Sequence, residues 1–398
     1  MNPQPTLASL FWMFVKIACT SFGGFMAMIS VVENVVVERK KLMSHSDMLD
    51  GISLASILPG PVAVNLVVFT GYRLRGGMGA LISALGAVLP SFVFIIVLSL
   101  AYFQWGQVPA VNKLFMGFIP AVSAIILSAA WNMSRKSITG WREALIAVAA
   151  AATLLVVGGI YSTLVIIASA GLIGWFWFRR DDANPMVAAA MQANTTETTR
   201  TKTKFDMNAT FFGAASLSAL PLWQFDPGVL FKMFLVFAGM SLMLFGGGYV
   251  FIPMIQEIVV NGHGWVSQQE FVDAIAMGQI TPGPILVSAA FIGLKVAGLT
   301  GAVAATLGIY LPTALLMIGG TRLLEGIQSS RVIAAALCSV RPSVIGMIAA
   351  AAFSVGWTAP HHWAAALIFA AALLALLRLH IEVVWVIPIA GLAGWVLF

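Results

Sequence analysis

The chain has 398 residues, 60% hydrophobic and only 9% charged, with a mean hydropathy of +0.97 and a formal net charge of +6. A soluble protein carries a charged fraction nearer a quarter, so a water-soluble globular fold is excluded, and the positive excess belongs to membrane topology before nucleic-acid binding. Stretches such as 79–103 can cross about 30 Å of hydrocarbon and do not alternate like barrel strands, so the expected class is an all-α polytopic membrane protein.

In chain order, the opening MNPQPTLASL lacks the basic region of a cleavable signal. A span is expected near 7–32, containing Lys16 and the pair Gly23-Gly24, followed by an amphipathic loop with Arg39, Lys40 and Lys41. Ser44-x-x-Asp47 has the spacing of a capping box and opens a half-helix. That half-helix has to stop before Pro59, because the residue preceding proline is pushed out of the α region. Gly60 tolerates turn dihedrals, and Pro61 suits the first position of a new helix, where no N–H is needed. Residues 47–72 therefore read as a re-entrant pair, and four spans follow near 78–103, 114–133, 143–159 and 162–178. Residues 179–206 are polar and Thr-rich, a linker; 208–225 are apolar but interrupted by Pro221 and are expected at the interface.

The remainder repeats the first part. Setting Pro59 on Pro282 brings Asp50 onto Asp273 and Gly23-Gly24 onto Gly246-Gly247. After a one-residue gap, Phe69, Gly71, Arg73, Gly76, Gly79 and Pro90 meet Phe291, Gly293, Lys295, Gly298, Gly301 and Pro312. Ser267-x-x-Glu270 matches the earlier capping box, and Pro282-Gly283-Pro284 repeats the break. The expected organisation is a transporter-like repeat over 1–178, a linker and interfacial segment over 179–228, and a second repeat over 229–398. Most Lys and Arg then share one face, the cytoplasm, with Lys113 and Lys295 on the other and Lys16, Lys232 and Arg341 in or beside spans. That bias implies inverted-topology repeats with a cytoplasmic linker, in an inner membrane.

Each break starts a half-helix inside the membrane, whose first N–H groups, from Val62 to Asn65 and from Ile285 to Ser288, lack intrahelical partners. Such an end carries about half a positive charge and favours an anion. Two of them related by a pseudo-two-fold axis point to a midplane anion site. Ser53, Ser56 and Asn65 line one break and Gln279, Thr281 and Ser288 the other. Arg341, aligned with Ile119, costs at least about 3 kcal/mol in a span and is a substrate-binding candidate, its planar fork suiting an oxyanion. Lys16 and the glycine pairs are weaker candidates, and Asp50 and Asp273 are candidates for carrying protons. Cys19 and Cys338 lie in apolar segments with neither CxxC spacing nor a histidine cluster, so no metal, cofactor or disulfide is expected. No Walker A pattern or nucleophile–base spacing appears, so the chain does not read as an enzyme.

FVKIACTSFGGF (14–25) with DGISLASILPGPVAVNLVVFTGYRLRG (50–76) resembles the first half of the chromate ion transporter family in its two-repeat form. LFGGGYVFIPMIQE (244–257), FVDAIAMGQITPGPI (271–285) and GLTGAVAATLGIYLP (298–312) resemble its second half. Phe25 departs from that pattern, which often has proline there. The resemblance implies proton-driven efflux of chromate, a tetrahedral dianion shaped like sulfate. Sulfate, another oxyanion, or an anion channel remain as alternatives. The partners implied are the oxyanion, a coupling ion taken as the proton, and the bilayer; a homodimer is left open and no nucleic acid is expected.

Overall fold

The computed structural model describes residues 5–21, 25–105, 109–157, 160–178, 226–245, 248–322 and 331–398. Every regular element among them is helical, in an all-α polytopic membrane protein. The first half comprises α1 (Leu7–Thr20), α2 (Phe25–Glu33) with a π-helical turn (Asn34–Arg39), α3 (His45–Ile57), α4 (Val62–Trp105), α5 (Pro109–Ser137), α6 (Trp141–Val156) and α7 (Ile160–Phe178). After residues 179–225, which lie outside the described part, come α8 (Pro227–Leu242), a short turn (Gly248–Val250), α9 (Phe251–Ile255), a second π-helical turn (Gln256–Gly262) and α10 (Gln268–Ile280). The chain ends with α11 (Ser288–Arg322, preceded by a 3-10 turn, Ile285–Val287), α12 (Arg331–Trp357), α13 (Trp363–Leu377) and α14 (Val383–Leu397). Four of these helices, within α4, α5, α11 and α12, are long and apolar enough to cross a membrane.

Local chemistry sets the helix starts. Asp226 accepts from the Gly228 and Val229 amides, with Pro227 at the first position of α8, so the helix begins two residues inside the expected linker. Ser267 and Glu270 form a complete capping box. At Ser44 only half of it forms. The Asp47 amide donates to Ser44 Oγ, and the shorter Asp47 carboxylate takes the Ser44 hydroxyl rather than the cap amide.

Residues 7–32 do not form the single span that hydropathy suggests. α1 has 14 residues, about 21 Å of helix, too short for a 30 Å core. Beyond Thr20 the chain folds back, so that the π-helical turn after α2 lies beside α1 and Arg39 and Lys40 share a cavity with Ser9 and Lys16. Arg75 Nε donates to Pro5 O (2.7 Å), Arg73 pairs with Asp47 (3.9 Å) and His45 with Glu33 (3.2 Å). The outer ends of α1, α2, α3 and the first part of α4 therefore meet in one mouth. α4 contains its own reversal at Arg75 (φ −146°, ψ 22°) and Gly76 (φ 64°, ψ −155°), and α11 repeats it at Ala297 (φ −143°, ψ 31°) and Gly298 (φ 63°, ψ −155°). The arms pack so closely that a Cβ on Gly71 would strike the Gly79 carbonyl; Gly293 and Gly301 are matched in the same way. Glycine is required at both corners and both crossings.

The long arm of α4 runs from this mouth to Tyr102 and Phe103, which meet Asp273 and Lys295 of the second half. The long arm of α11 runs from beside Lys295 to Arg322, whose Nε donates to Tyr72 Oη in the first mouth (3.0 Å). Each arm thus ends where the other half begins. The two arms pack on each other, α1 packs on α4 and α8 on α11. The remaining helices are exchanged: α6 and α7 pack on α12, and α13 and α14 on α5. Phe14, Phe69, Phe237, Phe251, Phe271 and Phe291 lie fully buried in one apolar cluster. Outside, Leu81, Leu85, Leu89 and Val93 form an exposed stripe at i+4 spacing, and Val303, Leu307, Leu311 and Leu315 form its counterpart. Apolar stripes facing outward on both long arms are surface made for lipid.

Candidate functional site

α3 stops at Ile57 and α10 at Ile280, as the following proline dictates. α3 is 13 residues long, so the first break lies about 20 Å of helix away from the mouth. Both break glycines have positive φ, 115° at Gly60 and 104° at Gly283. The loops are tied across the two halves. The Gly60 amide donates to Leu244 O (2.7 Å) and the Gly283 amide to Ser21 O (2.9 Å); Ser21 and Leu244 are aligned residues. Ser91 Oγ donates to Pro282 O (2.5 Å) beside Gly283, while Thr313, its counterpart, packs against Gly60.

The donors left over define what the breaks can hold. Val62, Ala63 and Val64 begin a helix and lack intrahelical acceptors. Asn65 does not share that freedom, because its amide donates to Pro61 O (2.9 Å). In the second break the 3-10 turn ties Val287 to Pro284 O (3.1 Å) and Ser288 to Ile285 and Leu286, leaving Ile285 and Leu286. The expected hydroxyls are also committed as donors: Ser56 to Ile52 O (2.8 Å), Thr281 to Gly278 O (2.7 Å) and Ser288 to Ile285 O (2.8 Å). Asn65 Nδ2 donates to Pro59 O (3.1 Å) and holds the first loop closed. Gln279 Nε2 is buried with no well-formed hydrogen bond, the Tyr249 hydroxyl standing nearby. Free amides at helix starts suit an oxyanion.

Arg341 lies on α12, partly buried, with no hydrogen bond or ion pair to it among the described residues. Helical spacing puts it on the same face as Val344 and Ile348, which are buried in the central apolar cluster that also holds Val62 and Ile285, the first residues after the two breaks. Lys16 is elsewhere: it is exposed on α1 and lines a cavity with Arg39 and Lys40, away from the breaks. Gly23, Gly24, Gly246 and Gly247 lie outside the described residues. The two aspartates differ. Asp273 is 1% exposed and accepts from Tyr102 Oη (2.8 Å) and Gln269 Nε2 (3.1 Å). Asp50 is partly exposed and makes no side-chain bond among the described residues.

This difference extends to the helices. Residues 271–279 of α10 are all buried, and α10 packs on α5 and α14. Ser53, Ser56, Leu58 and Pro59 are only half-buried, and α3 packs mainly on α4 and α11. The second mouth is sealed further by the Glu270–Lys295 ion pair and by Tyr102 packed edge-on against Phe115 and Phe291. Tyr102, Ser91 and Thr313 were not anticipated from the sequence. For Ser91 and Thr313 a signal existed, since each follows one of the aligned prolines, Pro90 and Pro312.

A family model for chromate transporters covers residues 8–175 and 231–395, both halves and nearly the whole described chain. The chain belongs to the chromate transporter family. Family relatives of similar length include the chromate transport protein of Pseudomonas aeruginosa, 29% identical over 414 aligned residues that cover 100% of this chain and 94% of that one. The chromate transport protein of Cupriavidus metallidurans is 29% identical over 78% of this chain and 73% of its own. The probable chromate transport protein of Synechococcus elongatus is 28% identical over 80% and 76%. No solved structure matches the chain. The family model spans both sets of broken helices, and among the described residues no group of three or more His, Cys, Asp and Glu could hold a metal ion.

Proposed function

We propose that this family member is a secondary transporter exporting chromate across the inner membrane, driven by the proton gradient. Its two halves, 1–178 and 229–398, act as inverted-topology repeats joined by a cytoplasmic linker over 179–228. The observation that carries the reading is the pair of Pro-Gly-Pro breaks, each tied to the opposite half through its glycine amide. In this reading the dianion binds between the breaks. The free amides of Val62–Val64, Ile285 and Leu286, Gln279 Nε2 and the Arg341 guanidinium supply donors and charge. Pro59, Gly60 and Pro61, with Pro282, Gly283 and Pro284, set the direction of those amides. Asn65 holds the first loop, while Ser56, Thr281 and Ser288 act as acceptors toward water around the ion. Asp50 and Asp273 are the proton carriers of the scheme.

The inverted arrangement is supported by long arms that run from one mouth to the other, with Tyr102 at Asp273 and Arg322 at Tyr72. Alternating access is supported by the unequal packing of α3 and α10: α10 packs on the exchanged helices α5 and α14, whereas α3 packs mainly on α4 and α11. The substrate is supported by the relatives named as chromate transport proteins. The deciding experiment is chromate flux in inside-out vesicles, with and without an imposed proton gradient and with excess sulfate. Gradient-driven accumulation that resists sulfate is expected. Equal competition by sulfate would make the anion site general, and flux indifferent to any gradient and unsaturable would make the protein a channel.

A further inference from the structure

A cavity of about 400 Å³ lies between α1 and the π-helical turn of the first half, away from the breaks and unused by the transport scheme. Three of its lining residues are cations, Lys16, Arg39 and Lys40, and none is acidic. Among the described residues, Glu33 pairs with His45 (3.2 Å) and Glu38 accepts from Asn34 (2.6 Å). Around the cations the wall is mainly apolar, with Met13, Val35 and buried Ile17, Trp12 60% exposed at the rim, and two hydroxyl residues, Ser9 and Thr20. The backbone holds this shape: the Lys40 amide donates to Val35 O (3.0 Å), the Leu42 amide to Val36 O (2.9 Å), and Lys41 turns the chain with φ 49°.

The cations are not needed for the fold. Their counterparts in the second half are Gly239, Gly262 and His263, and that half builds the same helix and π-helical turn without them. Lys16 lies about 14 Å along α1 from its first residue, one turn beyond Trp12, and shares the cavity with Arg39 and Lys40 of the π-helical turn. A small hydrated dianion would gain nothing from the apolar wall, whereas an amphiphile with a negatively charged phosphate head would satisfy both parts. We infer that this cavity is a binding site for the headgroup and upper chains of an anionic phospholipid, held by Lys16, Arg39 and Lys40.

The test uses the full chain in phosphatidylcholine vesicles doped with either bromine-labelled phosphatidylglycerol or bromine-labelled phosphatidylcholine, bromine being a contact quencher of tryptophan. Subtracting the signal of a Trp12→Phe variant isolates the residue at the rim. Half-maximal quenching of Trp12 is expected at an on-the-order-of tenfold lower mole fraction of the phosphatidylglycerol. The preference should vanish in Lys16→Gln/Arg39→Gln and weaken in Lys16→Gln alone, with helical content unchanged by circular dichroism. Arg142→Gln, a cation at the start of α6, should keep it. Equal quenching by both lipids, or a preference that survives the double substitution or falls equally with Arg142→Gln, would overturn the site. Displacement of the lipid by millimolar inorganic phosphate or chromate would overturn it too, in favour of a free-oxyanion site. The readout needs no transport, so the lipid site and the transport reading can fail separately.

Discussion

Placing a methyl group on Gly60 would test whether the breaks are packed against the opposite half as described. Two separate costs arise. At φ 115° an L-residue sits outside its favoured wells, at a cost of roughly 1–3 kcal/mol. The added Cβ would also lie 2.5 Å from Thr313 Cγ2 and 2.6 Å from its Cβ, an overpacking of about 1–3 kcal/mol. Gly60→Ala should therefore lose about 2–6 kcal/mol, a large part of a stability of about 5–15 kcal/mol. Thr313→Gly removes the obstructing atoms at a helix-propensity cost of about 1 kcal/mol. The double variant should recover the steric part of the loss and retain the backbone part, a coupling of about 1–3 kcal/mol. Equilibrium unfolding in mixed micelles, followed by circular dichroism, gives all four corners of the cycle. If Gly60→Ala unfolds like the parent, or if the two changes add within about 0.5 kcal/mol, the loop does not pack on Thr313 and the inter-half contact is wrong.

Arg341→Ala should abolish chromate transport while membrane insertion and helical content stay normal, and Arg341→Lys should restore little, since a point charge lacks the planar fork; normal flux in the alanine variant removes Arg341 from the site. Tyr102→Phe deletes the 2.8 Å bond to buried Asp273, about 1.5–3 kcal/mol if that carboxyl is charged. In a protein lacking Cys19 and Cys338, a cysteine at buried Ala274 should then react about tenfold faster or more, and an unchanged rate would show that the bond does not hold this mouth shut. Cysteines placed at Lys41 and Asn261 should react with an impermeant reagent from opposite sides of the membrane. Labelling of both from one side would end the inverted arrangement.

Proline and glycine made much of the fold legible, because their backbone effects are local and survive burial. The stop of α3 at Ile57, the stop of α10 at Ile280, and the four later helices of the first half all follow the expected boundaries within a few residues. Residues 7–32 misled because hydropathy reports that a segment avoids water without reporting its direction, and a folded-back pair is as apolar as a span. The candidate site was legible in its backbone and less so in its side chains. Which hydroxyls are free depends on whether each turns back to its own helix, and Ser56, Thr281 and Ser288 all do. Tyr102 was invisible for a different reason: its aligned partner is Leu324, and a comparison of the two halves finds only what both possess.

What the halves share and what they do not share separate two kinds of work. The Pro-Gly-Pro breaks, the Gly76 and Gly298 corners, the hydroxyls after Pro90 and Pro312, and the ion-paired mouths are present twice, and each fixes a backbone path that both halves must follow. Arg341 against Ile119, Tyr102 against Leu324, and Lys16 and Arg39 against Gly239 and Gly262 occur once. If the halves are inverted repeats, a carrier built only from the shared set would be indifferent to direction, because inverting it would reproduce it. Single-copy residues give the two faces different chemistry: a mouth ringed by basic side chains at one end, and at the other a mouth held by a tyrosine–aspartate bond. A preference for one transport direction can reside only in such residues, so substitutions there should change how flux responds to the sign of the gradient, while substitutions in the shared set should change both directions together.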